Sequence, residues 1–116
     1  MAAVLVDPQL VEEIRRVERA TGRSDLFSGF VAKLEENLAA FGPAFSDFVA
    51  RGDAKAAVRA AHTLKGTCRQ LGAQALGGLF DEIENAAKAG DFAGARRKFD
   101  DGATLIAQSL EALKRA

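Results

Sequence analysis

AKAAVRAAHTLKGTCRQLGAQALGGLFDEIENAAKAG, residues 54–90, decides how this chain is read. Its apolar residues return at three- and four-residue steps, the period of one helix face. Ala57, Ala60 or Ala61, Leu64, Cys68 and Leu71 form one stripe, and Leu76, Leu79, Phe80, Ile83 and Ala87 form a second. Gly72 separates them, so the stretch predicts two helices, about 54–71 and about 74–89, joined by a tight turn. The first stripe consists of small side chains, which lets that helix sit close to its neighbours.

Upstream, Ser24 stands where it would cap a helix over about 24–51. Phe27, Phe30, Leu34, Leu38, Phe41, Phe45 and Phe48 supply its stripe, which passes through Gly42-Pro43 without losing phase. An interior proline costs roughly 3 kcal/mol. A loop would reset the phase, however, so one long kinked helix is expected. Asp7-Pro8 opens a short first helix over about 8–21, with Leu10, Ile14 and Val17 inward and Thr21-Gly22 at its end. Gly52-Asp53 closes the second helix and caps the third. Gly90-Asp91 opens a last helix over about 91–115, with Phe92, Ala95, Phe99, Ala103, Ile106, Leu110 and Leu113 inward. No sustained alternation or hairpin turn signal is present. The expected fold is all-α: an antiparallel up-down four-helix bundle with a short additional N-terminal helix, one domain over residues 1–116.

Composition narrows the function classes. The 116 residues, 48% of them hydrophobic and 28% charged, suit one packed core. Sixteen basic and sixteen acidic residues cancel, without the basic excess of a generic nucleic-acid binder. Cys68 is the only cysteine, so no intramolecular disulfide exists and its expected place is the core. The apolar run Ala2 to Val6 is too short for a secretion signal or a membrane span, and a cytoplasmic address is expected. His62 is the only histidine, which excludes His-rich metal sites and the two-histidine zinc signature. No cofactor or metal is expected on this chain.

His62 lies off the apolar stripe, because two residues on a helix point about 200° away from each other and Leu64 faces the core. Between Ala54 and Phe80 there is no acidic residue, and the charged side chains are Lys55, Arg59, Lys65 and Arg69. Lys65, Gly66 and Arg69 follow His62 at offsets of three, four and seven, on its own face. That pattern suits a phosphoryl carrier. A neutral imidazole, with an ordinary pKa of about 6.5, is a competent nucleophile near neutral pH. Attack on an activated phosphoryl group gives a phosphoramidate whose negative charge needs a cation, and Lys65 is one turn away. Gly66 leaves the space above the ring open for the in-line approach of a donor or acceptor oxygen. Glycine inside a helix costs roughly 1 kcal/mol against alanine, so its presence here calls for such a reason. The other ring nitrogen needs an acceptor, and Glu84 is the candidate, with Gly77 and Gly78 allowing its helix to come close.

His62-Thr63-Leu64-Lys65-Gly66, followed by Leu71-Gly72-Ala73, resembles the signature of histidine-containing phosphotransfer (HPt) domains. Ile83-Glu84 resembles the hydrophobic-Glu pair of that family's next helix, and the two Gly-Asp junctions fit as well. The motif covers about a third of the chain and the helix layout nearly all of it. The resemblance implies a phosphocarrier of a His-Asp phosphorelay, without kinase activity of its own. His62 would take a phosphoryl group from an aspartyl phosphate and return it to another aspartate. The implied partners are response-regulator receiver domains and a hybrid sensor histidine kinase, the Mg²⁺ belonging to the receiver. Neither nucleic acid nor membrane is implied, and a monomer is favoured. Arg59 and Arg69 are candidates for steering acidic receivers, though each reads equally as a solvated charge. Arg69 departs from the small or neutral residues common after Lys-Gly, and Gly42-Pro43 departs from an uninterrupted second helix. Two other classes compete: a receiver-binding adaptor that carries no phosphate, and a structural bundle.

Overall fold

The computed structural model describes residues 5–116, so most of the Ala2–Val6 run lies outside the described residues. They form six helices: α1 (Pro8–Thr21), α2 (Leu26–Ala50), α3 (Ala54–Gln70), α4 (Gln74–Lys88), α5 (Phe92–Asp101) and α6 (Ala103–Arg115). No strand occurs among them. Asp7, Asp53 and Asp91 stand at the N-caps of α1, α3 and α5, and accept the backbone N–H of Gln9, Ala56 and Gly94. Each thereby satisfies one of the donors that a helix start leaves free.

Ser24 does not cap α2. The N-cap is Asp25, which makes no side-chain cap bond. Glu18 of α1 supplies the acceptor instead: its Oε2 takes the Phe27 N–H at 2.9 Å, and Arg15 donates to its Oε1 at 2.9 Å. The Phe27 N–H and then Arg15 hold this carboxyl below its ordinary pKa. A carboxylate at the positive end of a helix is favourably placed. The inward face of α1 therefore turns by about one residue from the expected stripe. Val11 and Glu18 are buried, Leu10 and Ile14 are half-buried, and Val17 is exposed. Phe30 is likewise exposed rather than core.

α2 runs unbroken through Pro43. Ala39, whose carbonyl loses its N–H partner to the proline, is exposed, so water can serve it. Arg96 of α5 donates to the Gly42 carbonyl at 3.0 Å and to Ser46 Oγ at 2.8 Å, tying α5 across this point.

The last helix is not single. It divides at Gly102, whose N–H bonds both Lys98 and Phe99 carbonyls. A Cβ on Gly102 would lie 2.5 Å from Leu79 Cδ2, so α4 occupies the space that any other residue would need. The stripe keeps its phase because only one residue interrupts it, although Ala103 falls outside the core.

α4 packs most extensively on α3 and α5, α3 on α2, and α6 returns onto α2 and α4, which makes a helical bundle. Phe41 joins three of these helices: its ring is 5.3 Å from Phe80 in an edge-to-face pair and 4.9 Å from Phe99. Such pairs contribute about 0.5–1.5 kcal/mol each beyond burial. The expected stripes of α3 and α4 are buried throughout, with Ala61 rather than Ala60 innermost. Cys68 is within that core, and burial pushes its thiol pKa up to about 12. The α3–α4 turn needs its glycine: Gly72 has φ +87°, its carbonyl accepts the Asp7 N–H at 2.7 Å, and a Cβ would sit 3.0 Å from the Asp7 carbonyl oxygen. Among the described residues no helix is long and apolar enough to cross a membrane.

Candidate functional site

The buried stripe of α3 turns His62 outward, with its side chain 64% exposed. α4 buries Phe80, Ile83 and Ala87 against that helix. Glu84 follows Ile83 and arrives beneath the imidazole with only 2% of its side chain exposed. Its two carboxylate oxygens lie 3.2 and 3.1 Å from His62 Nδ1. An ionised carboxylate only accepts, so Nδ1 carries the hydrogen and donates. In the neutral ring this leaves the lone pair on Nε2.

Glu84 is held by two ammonium groups as well. Lys65 Nζ is 2.7 Å from Oε1, and Lys88 Nζ is 2.9 Å from Oε2. Burial alone would raise the Glu84 pKa, but the hydrogen bonds from Lys65, Lys88 and His62 outweigh it and hold the group at about 2. Lys65 also reaches Asp81 Oδ1 at 3.3 Å, and its own pKa is raised, chiefly by Glu84. In this state the Lys65 ammonium is engaged with two carboxylates, Asp81 and Glu84. Lys88 and Asp81 were missed by sequence reasoning. Both are one helical turn from Glu84, at i+4 and i−3, which is the signal that could have found them.

Gly66 is exposed, and a Cβ there would meet nothing within 4 Å, so the surface one turn after His62 is open. Gly77 is the close-approach glycine between α3 and α4: its Cβ would fall 2.8 Å from Arg69 Cγ and 3.6 Å from the Lys65 carbonyl. Gly78 meets no such neighbour. Arg69 lies along α4 with its stem over Gly77. Arg59 borders two depressions. One is a 460 Å³ cleft shared with Lys55, Val58, His62, Glu84 and Lys88. The other is a 360 Å³ groove between α2 and α3, floored by Ala40, Ala44, Phe48 and Ala60. No cluster of three or more metal-ligating side chains occurs among the described residues.

The family model of the Hpt domain matches residues 25–116. The chain belongs to the Hpt domain family. Hpt domains are the histidine phosphotransfer modules of two-component phosphorelays, phosphocarriers that work with receiver domains and kinases. No curated protein and no solved structure matches this Hpt domain. The match begins after α1, so the helix that carries the Glu18 cap precedes the matched region.

Proposed function

We propose that this Hpt domain carries a phosphoryl group on Nε2 of His62 between aspartates of receiver domains, in both directions. The observation that carries the reading is the buried Glu84 carboxylate on Nδ1, which leaves Nε2 as the exposed nucleophile. Nε2 attacks the phosphorus of an aspartyl phosphate; the N–P bond forms as the P–O bond to the aspartate breaks, and that aspartate leaves as carboxylate. The Nδ1 hydrogen stays in place, and the positive charge that develops on the ring falls on its bond to Glu84. Return transfer runs the same path backwards, with Mg²⁺ held by the receiver.

Lys65 would compensate the phosphoryl charge by exchanging Asp81 and Glu84 for phosphoryl oxygens, a turn of one flexible side chain. Gly66 keeps the approach to phosphorus open. Arg59, between the His62 cleft and the apolar α2–α3 groove, is placed to steer an acidic receiver onto that groove, and Arg69 extends the cationic face. The up-down antiparallel arrangement, with α1 as a cap, belongs to the same reading and is supported by the short connections.

The test is incubation with a phosphorylated receiver domain and Mg²⁺, beside a His62→Gln control. Acid-labile, alkali-stable phosphate on the unmutated protein alone is the expected result. Receiver binding without label makes the protein an adaptor; absence of both leaves a structural bundle.

A further inference from the structure

Glu84 has two oxygens and three donors. Lys65 comes to Oε1 from α3, Lys88 comes to Oε2 from its own helix, and His62 Nδ1 lies against both oxygens. Lys65 is the more enclosed cation, 17% exposed, and it has Asp81 as a second partner; Lys88 is 56% exposed and pairs with Glu84 alone among the described residues. No α5 or α6 side chain is ion-paired to Glu84 among those residues.

One cation would suffice to neutralise this carboxylate at rest. During transfer the phosphoryl group competes for Lys65. Without Lys88, drawing Lys65 away would leave a nearly fully buried carboxylate with only an imidazole N–H, and a buried carboxylate without a cation tends to take up a proton. A protonated Glu84 no longer compels Nδ1 to be the donor, and the tautomer that exposes Nε2 is lost.

We propose that Lys88 is a positioning residue: it keeps Glu84 ionised while Lys65 turns to the phosphoryl group, so Nδ1 keeps its hydrogen and Nε2 remains the reacting atom. The inference rests on the phosphocarrier reading of His62. Lys88 makes and breaks no covalent bond; it acts through Glu84.

The Lys65→Gln variant mimics the state in which Lys65 has left. Imidazole ¹⁵N spectra of the full unphosphorylated chain then report which ring nitrogen holds the hydrogen. Lys65→Gln keeps it on Nδ1, Lys65→Gln/Lys88→Gln loses that preference, and Lys65→Gln/Lys88→Arg regains it. Loss in Lys65→Gln alone, or retention in the double Gln variant, overturns the proposal. These spectra need no phosphate, so they stand apart from any failure of His62 to accept a phosphoryl group. A second readout uses Lys88→Gln alone, which keeps the helix-forming stem at an exposed position and covers the case in which the double variant does not fold. Its onward transfer from phosphorylated His62 is expected to slow roughly tenfold, the low end of what losing a supporting partner costs a metal-ligating histidine. Lys88→Arg restores the rate. A rate equal to that of the unmutated protein overturns the assignment.

Discussion

Replacing Glu84 by glutamine removes the charge beneath His62 and changes little else in shape. A hydrogen bond to a charged group contributes about 1.5–3 kcal/mol. Three observations place this bond within that range. The acceptor is 2% exposed and held by two lysines, so it is fixed before reaction; the distances of 3.1 and 3.2 Å are ordinary; and the imidazole is 64% exposed, so water offers Nδ1 an alternative. In the ground state the lower end applies, about 1.5 kcal/mol or roughly tenfold in the tautomer ratio. As Nε2 bonds phosphorus the ring becomes cationic and the bond to a carboxylate strengthens toward the upper end. Glu84→Gln is therefore expected to slow transfer by roughly 10- to 100-fold. The assay is single-turnover transfer from a phosphorylated receiver at saturating receiver concentration, which separates the chemical step from docking. Transfer by Glu84→Gln within twofold of the unmutated rate would refute the argument. A loss that saturating receiver abolishes would refute it too, since Glu84 would then act on docking.

Gly66→Ala places a Cβ in open space and removes a mid-helix glycine, so thermal melts should show a gain of about 0.5–1 kcal/mol. Gly66→Leu should fold equally well and lose transfer, because its branched end occupies the approach to His62. Gly72→Ala forces a Cβ into left-handed backbone against Asp7 and should cost about 1–2 kcal/mol or more in urea unfolding. Glu84 is held at about 2 in the fold against 4.5 for the free group, so its contribution to stability is intact above that ordinary value and drains away as pH falls toward 2. Circular dichroism across that window should show acid unfolding of the unmutated protein that is flatter in Glu84→Gln.

What could be read from the sequence was what short-range chemistry dictates. The Asp-Pro and Gly-Asp junctions announce caps whose bonds span two or three residues, and Asp7, Asp53 and Asp91 make them. The stripes of α3 and α4 are fully amphipathic, so period alone assigns their faces. Unbroken phase through Gly42-Pro43 was sufficient to keep α2 whole. The failures share a different cause, a partner distant in sequence. Glu18 is inward and accepts from the start of α2, which lacks a side-chain cap of its own, while Val17 is exposed. The last helix divides at Gly102, where Leu79 of α4 leaves no room for a side chain. In the site, His62, Gly66 and Glu84 could be placed from spacing and family resemblance. The engagement of Lys65 with Asp81 and Glu84, and the presence of Lys88, depend on how closely Gly77 lets α3 and α4 approach, a distance that sequence does not carry.

The most direct test of the account is the linkage of the phosphate itself. Transfer from a phosphorylated receiver to ¹⁵N-labelled protein, followed by ³¹P–¹⁵N correlation, assigns the nitrogen bonded to phosphorus. The expected product carries phosphate on Nε2 of His62, with Nδ1 still protonated against Glu84. Phosphate on Nδ1, or on any other residue, would contradict it.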